Sequence, residues 1–213
     1  MSKVYLEILD DKRLDVFRKL SLVDKHAFLI GGTALALQIK HRKSIDFYLA
    51  LDKPIKRAML GKVRSVFSGN KISVSIDQPS ELTVILDNDI KVTFLHYPFP
   101  NLHPMGDNKF LKLASLKDLA SAKAQTIGRR GEWKDYVDLY VLLTRVGLNL
   151  DKIIKEAEKR FQGEFSEKLF LEQLVYWNDI SDYEINYVDL EIPKSKIQSY
   201  FSELVKKNLR KVI

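Results

Sequence analysis

The chain has 213 residues, 46% of them hydrophobic and 30% charged, a composition typical of soluble globular proteins with enough length to bury a core. No apolar run approaches the roughly 20 residues of a membrane span, and the absence of cysteine excludes disulfides and thiolate zinc sites. The net charge of +7 is concentrated: residues 40–71 hold nine Lys or Arg and two Asp, a net of +7, which favours an anionic partner such as a nucleotide or RNA.

The first residues, MSKVYLEILDDKR, lack a secretory apolar core, so a cytoplasmic location is expected. Within 5–20, Leu6, Leu9, Arg13 or Leu14, and Phe17 recur at helical spacing and predict a leading amphipathic helix. Ala27–Ile30 is a short apolar run of the kind a buried strand shows. Gly31-Gly32 breaks it, and Ala34–Ile39 are mostly good helix formers, so Thr33 is placed to cap a helix. A glycine turn feeding a helix start offers backbone N–H groups and the positive end of the helix dipole to a phosphate. Lys40-His41-Arg42-Lys43 adds side-chain charge. Ser44 then opens a second strand, in which Ile45, Phe47, Leu49 and Leu51 alternate with Asp46, Tyr48 and Ala50, so Asp46 and Tyr48 share a face.

A helix over Pro54–Phe67 follows, with Pro54 in its first turn and Lys56, Arg57 and Arg64 off its apolar stripe. Three strand-like runs come next, Lys71–Asp77, Glu81–Leu86 and Asp89–His96. Turn residues separate them closely enough for antiparallel hairpins. The Pro- and Gly-rich stretch 97–106 marks a boundary between a sheet domain, 1–105, and a helical domain, 106–213. A short strand over Phe110–Leu113 leads to Ser115, where a helix starts with Asp118 in the capping position. Lys123 interrupts that helix's apolar stripe of Leu116, Ala120 and Ile127. A lysine there costs desolvation unless it snorkels or meets an anion. Glu132–Val146 is apolar nearly all round, with Asp138 inside it. A buried carboxylate needs a partner, and Lys134, Lys123 and Arg130 are the candidates. Three more helices are expected over 151–161, 165–177 and 194–212.

The order GG-T-x-L-x-L, HRxS, then a strand carrying Asp resembles the AbiEii/AbiGii-type nucleotidyltransferase toxins of the DNA polymerase β-like superfamily. The segments 89–100, 115–136 and 137–143 resemble the same family, in order. The resemblance implies an α+β fold: a nucleotidyltransferase-like mixed sheet flanked by helices, followed by a C-terminal helical region. It implies a nucleoside triphosphate on Gly31, Gly32, Thr33, Arg42, Ser44 and Lys123, with Asp46 as catalytic and Mg²⁺-binding acid and Asp138 in the active site. It also implies transfer of a nucleoside monophosphate to an RNA, such as tRNA, or to a protein, and a cognate antitoxin as partner. No membrane association is implied.

The family's Asp-x-Asp reads Asp46-Phe47-Tyr48 in this chain, so its second acid is missing, and Thr93 occupies the later strand's acidic position. Mg²⁺ prefers hard, charged oxygen ligands, which a phenol and a hydroxyl do not replace. Asp52, Asp77, Asp87 and Asp89 are the nearby acids that could substitute. The alternative reading is therefore an inactive module on the same fold that binds a nucleotide, an RNA or a partner.

Overall fold

The short apolar run Phe28–Ile30 becomes β1, second from one edge of a six-stranded sheet with order β3-β4-β5-β2-β1-β6. β1 lies antiparallel to β2 (Phe47–Leu51) and parallel to β6 (Lys112–Leu113). β2 runs parallel to β5 (Ile90–His96), and β3 (Ile72–Asp77) and β4 (Glu81–Leu86) extend the sheet antiparallel from there. The computed structural model describes residues 3–106, 108–180 and 183–209. Two compact units emerge, 1–115 and 116–213.

Strand alternation divides the first unit's sheet into two chemically distinct faces. Phe47, Leu49, Leu82, Val84, Val92 and Phe94 share one face, and all are buried. Helix α1 (Asp11–Val23) covers it, bringing the Phe17 ring 6.3 Å from Phe47, and packs on α3 (Ala58–Val66). Each such side chain contributes about 1.5–3 kcal/mol on burial. The opposite face carries polar groups: Tyr48 on β2, Lys91 and Thr93 on β5, Glu81 and Thr83 on β4.

Four local expectations need correction. The leading helix is broken: a 3₁₀ turn over Leu6–Ile8 precedes α1, because Asp10 Oδ1 accepts the Arg13 backbone N–H at 2.9 Å and starts a new helix. Helix α2 spans Gly31–Ile39, so Thr33 lies inside its first turn and is not the cap. The second strand starts at Phe47 rather than Ser44, leaving Ile45 52% exposed. Helix α3 starts at Ala58 rather than Pro54, since the Ile55 N–H is committed to the Pro79 carbonyl at 2.8 Å.

The second unit is helical: α4 (Leu116–Ile127), α5 (Trp133–Thr144), α6 (Leu150–Phe161), α7 (Glu167–Gln173) and α8 (Lys194–Leu209). Asn149 and Ser166 cap α6 and α7 through their side chains. The expected end of the last helix, 210–212, lies outside the described residues. The core centres on Tyr136, whose ring lies 5.1 Å from Trp177, 6.0 Å from Trp133 and 6.2 Å from Phe201. Among the described residues, no helix is long and apolar enough to cross a membrane.

Candidate functional site

The turn from β1 into α2 is built around missing side chains. Gly31 has φ +74°, a conformation that side chains with a Cβ rarely adopt. A Cβ on Gly32 would fall 2.6 Å from Arg42 Nη2 and 3.1 Å from Ser44 Oγ. Glycine at 32 therefore lets a buried guanidinium and a hydroxyl reach the first turn of α2. Arg42 Nη1 also donates to the Lys43 carbonyl at 3.0 Å. A guanidinium beside a helix N-terminus brings two positive poles together, an arrangement that an anion stabilises.

Thr33 connects this turn to the expected acid. Its buried Oγ1 lies 2.9 Å from Ser44 Oγ and 2.5 Å from the Asp46 carbonyl. A carbonyl only accepts, so the single Thr33 proton goes to Asp46. That bond fixes the backbone of Asp46 just before β2. Gly31, Gly32, Thr33, Arg42, Ser44 and Asp46 thus fall within one continuous piece of the first unit.

Next to it, Tyr48 pairs in register with Thr93, and Thr93 with Thr83. The hydroxyls of Thr83 and Thr93 are 2.9 Å apart, and Thr83 Oγ1 lies 2.6 Å from Glu81 Oε1. A carboxylate only accepts, so Thr83 donates to Glu81 and Thr93 donates to Thr83. Lys91 Nζ donates to Tyr48 Oη at 3.3 Å and stands 5.6 Å from that ring's centroid. The Tyr48 hydrogen bond raises the lysine's pKa against its desolvation, and the fields of Tyr48, Asp46 and Glu81 add to the rise. Sequence reasoning missed Glu81 and Lys91 as members of this face.

The donor set does not fit a two-metal site. Of the three expected positions only Asp46 is a carboxylate; Tyr48 accepts from an ammonium, and the Thr93 proton is committed to Thr83. Among the described residues, no group of three or more His, Cys, Asp or Glu side chains is placed to hold a metal ion. Three of the four nearby acids are placed elsewhere. Asp87 accepts from Asn70 Nδ2 at 2.6 Å and the Lys71 N–H at 2.8 Å, which hold its carboxyl below the usual range. Asp89 pairs with Arg13 at 3.0 Å. Asp52 lines a separate 360 Å³ pocket with His26, Lys53, Lys56 and Lys62.

In the helical unit, Lys123 and Asp138 meet each other. Lys123 Nζ lies 2.7 Å from Asp138 Oδ2 and 2.5 Å from Asp135 Oδ1, and all three side chains are buried. Asp135 is the member that sequence reading missed; it lies one turn before Asp138 on the same side of α5.

The fold is that of nucleotidyltransferases. JHP933 from Helicobacter pylori superposes with a TM-score of 0.55 over 98% of this chain and 95% of its own, at 16% identity. MenT4, a nucleotidyltransferase toxin from Mycobacterium tuberculosis, gives 0.59 over 91% and 84%, at 11% identity. In sequence, the family described as nucleotidyl transferase AbiEii toxin, Type IV TA system, matches residues 15–197. The chain belongs to that family. An uncharacterized protein of Aquifex aeolicus is 30% identical over 187 residues, covering 85% of this chain and 87% of its own.

Proposed function

We propose that this protein binds a nucleoside triphosphate on the β1–α2 turn and transfers its nucleoside monophosphate to an RNA or protein hydroxyl. The observation that carries this reading is the cradle at Gly32, where the missing Cβ admits the Arg42 guanidinium and Ser44 hydroxyl at a helix N-terminus. The phosphates take the backbone N–H groups of Gly31 and Gly32, the hydroxyl of Ser44 and the charge of Arg42, while Thr33 holds the turn through its bond to the Asp46 carbonyl. Asp46 accepts the proton of the attacking hydroxyl. That oxygen bonds to the α-phosphorus, the bond to the bridging oxygen breaks, and pyrophosphate leaves. Positioning and charge neutralisation supply most of the acceleration in such a transfer. For the helical unit, the family resemblance supports a phosphate-binding role for Lys123 and a role in activity for Asp138, and Asp135 and Asp138 hold the ammonium in place. The family description also supports an antitoxin partner.

A second reading, binding without transfer, is favoured by Tyr48 and Thr93 standing where acids are expected. One experiment separates the two. The protein and its Asp46→Asn variant are incubated with each α-labelled NTP and total tRNA, with Mg²⁺, with Mn²⁺ or with EDTA. Label on RNA or protein that vanishes in the variant supports transfer. Calorimetric NTP binding without label transfer supports the binding module.

A further inference from the structure

Lys91 deepens the nucleotide reading, and the role assigned to it rests on that reading. The residue sits on the polar face of β5, two positions before Thr93, and the β2–β5 register brings it toward the strand entry where Asp46 stands. Its ammonium bonds the Tyr48 phenol at 3.3 Å, and the carboxylates of Asp46 and Glu81 both act on it. These are the surroundings in which a divalent ion would need its ligands. We infer that the Lys91 ammonium is the built-in cation of this site, standing in for a divalent metal beside Asp46 and receiving a phosphate of the nucleotide.

Two further observations support this assignment. The first is the loss of negative charge: Tyr48 and Thr93 are neutral, and the remaining acid on β4, Glu81, already accepts from Thr83. A single ammonium answers that reduced charge, and a divalent ion placed beside Asp46 would be repelled by Lys91. The second is placement. Lys91 is half-buried, and the Tyr48 hydrogen bond and ring fix the direction of an otherwise flexible side chain. A lysine is a compact point charge suited to phosphate.

The test has two arms. In the first, Mn²⁺ alone is titrated into wild type, Lys91→Met, and Lys91→Met/Asp46→Asn, and bound metal is read by electron paramagnetic resonance. Wild type is expected to show no site that depends on Asp46; a wild-type Mn²⁺ site abolished by Asp46→Asn overturns the inference whether or not a nucleotide binds. Removal of the ammonium is expected to admit Mn²⁺ in Lys91→Met, and the double variant is expected to lose it. In the second arm, binding of ATP, GTP, CTP and UTP is measured by calorimetry in EDTA and in Mg²⁺. The preferred nucleotide is expected to bind wild type within about threefold of the same affinity in both buffers, Lys91→Met to lose about tenfold or more in EDTA, and Lys91→Arg to retain most of it. Circular dichroism verifies that each variant is folded. Binding that requires Mg²⁺ overturns this inference and leaves the nucleotide reading standing. Failure of all four nucleotides in both buffers overturns the nucleotide reading, and the ligand assigned to Lys91 falls with it.

Discussion

Gly32 and Thr33 sit side by side and fail differently when changed. In Gly32→Ala the new methyl meets Arg42 Nη2 at 2.6 Å, the far end of a side chain, so the guanidinium yields and the backbone does not. Stability is expected to change by less than about 1 kcal/mol, while nucleotide affinity falls about tenfold, read by calorimetry beside a urea melt. Thr33→Val keeps the shape and removes the bond to the Asp46 carbonyl, costing about 1–2 kcal/mol in the same melt. The sequence makes the glycines and Asp46 legible because turn chemistry is local. It hides Glu81, although the signal is present. A turn centred on Asn88 pairs residues at equal distances on either side, so Thr83 faces Thr93 and Ile85 faces Lys91. Strand alternation then puts Glu81 on the same face as Thr83. Thr33 is misread as a cap because its preference for N-caps is statistical, and here its hydroxyl reaches a long-range carbonyl.

At the scale of elements, α4 and α5 meet around one buried ammonium between two buried carboxylates. Breaking such a set by removing one partner leaves uncompensated charge, so Lys123→Met is expected to cost about 3–5 kcal/mol. Adding Asp135→Asn and Asp138→Asn removes that charge, and the triple variant is expected to recover much of the loss in a urea melt. The same helix carries a pH-dependent term. Burial pushes the Tyr136 hydroxyl up to about 12 from its ordinary 10.0, while its hydrogen bond to the Gln173 carbonyl at 3.0 Å requires the proton. The folded pKa lies above the unfolded one. The contribution is therefore full below pH 10 and lost as pH rises toward 12, about 2–3 kcal/mol in all. Urea melts at pH 9 and pH 11.5 are expected to diverge for wild type and to converge for Tyr136→Phe. The helices' positions are legible from an apolar stripe in α4 and from a nearly all-round apolar run in α5. Their ends are less so, because a cap such as Asp10 or an N–H committed across the sheet, as at Ile55, is decided by partners far along the chain.

Charge is the property that belongs to the whole chain. The net +7 matches the excess carried by residues 40–71, and the structure sorts those cations by role. Arg42 is buried at the cradle, whereas Lys43, Lys53, Lys56, Arg57, Lys62, Arg64 and Lys71 are exposed. An exposed cation costs little to keep and adds little to the fold. Grouped on one short stretch, such cations favour a polyanion through counterion release, and each phosphate neutralised adds roughly 0.7–0.9 to the salt slope. Lys56 and Lys62 also line the 360 Å³ pocket, so the group has a concave part as well as a surface. If the acceptor is an RNA, Lys56→Ala/Arg57→Ala/Lys62→Ala is expected to lower the slope of log K against log salt by about two to three for tRNA. Binding of free NTP, which reads the Gly32 cradle, is expected to stay within about twofold. Fluorescence anisotropy at several salt concentrations measures the first and calorimetry the second. A tRNA slope left unchanged by the triple variant would assign the basic stretch no part in acceptor binding and move the search for the acceptor to a protein hydroxyl.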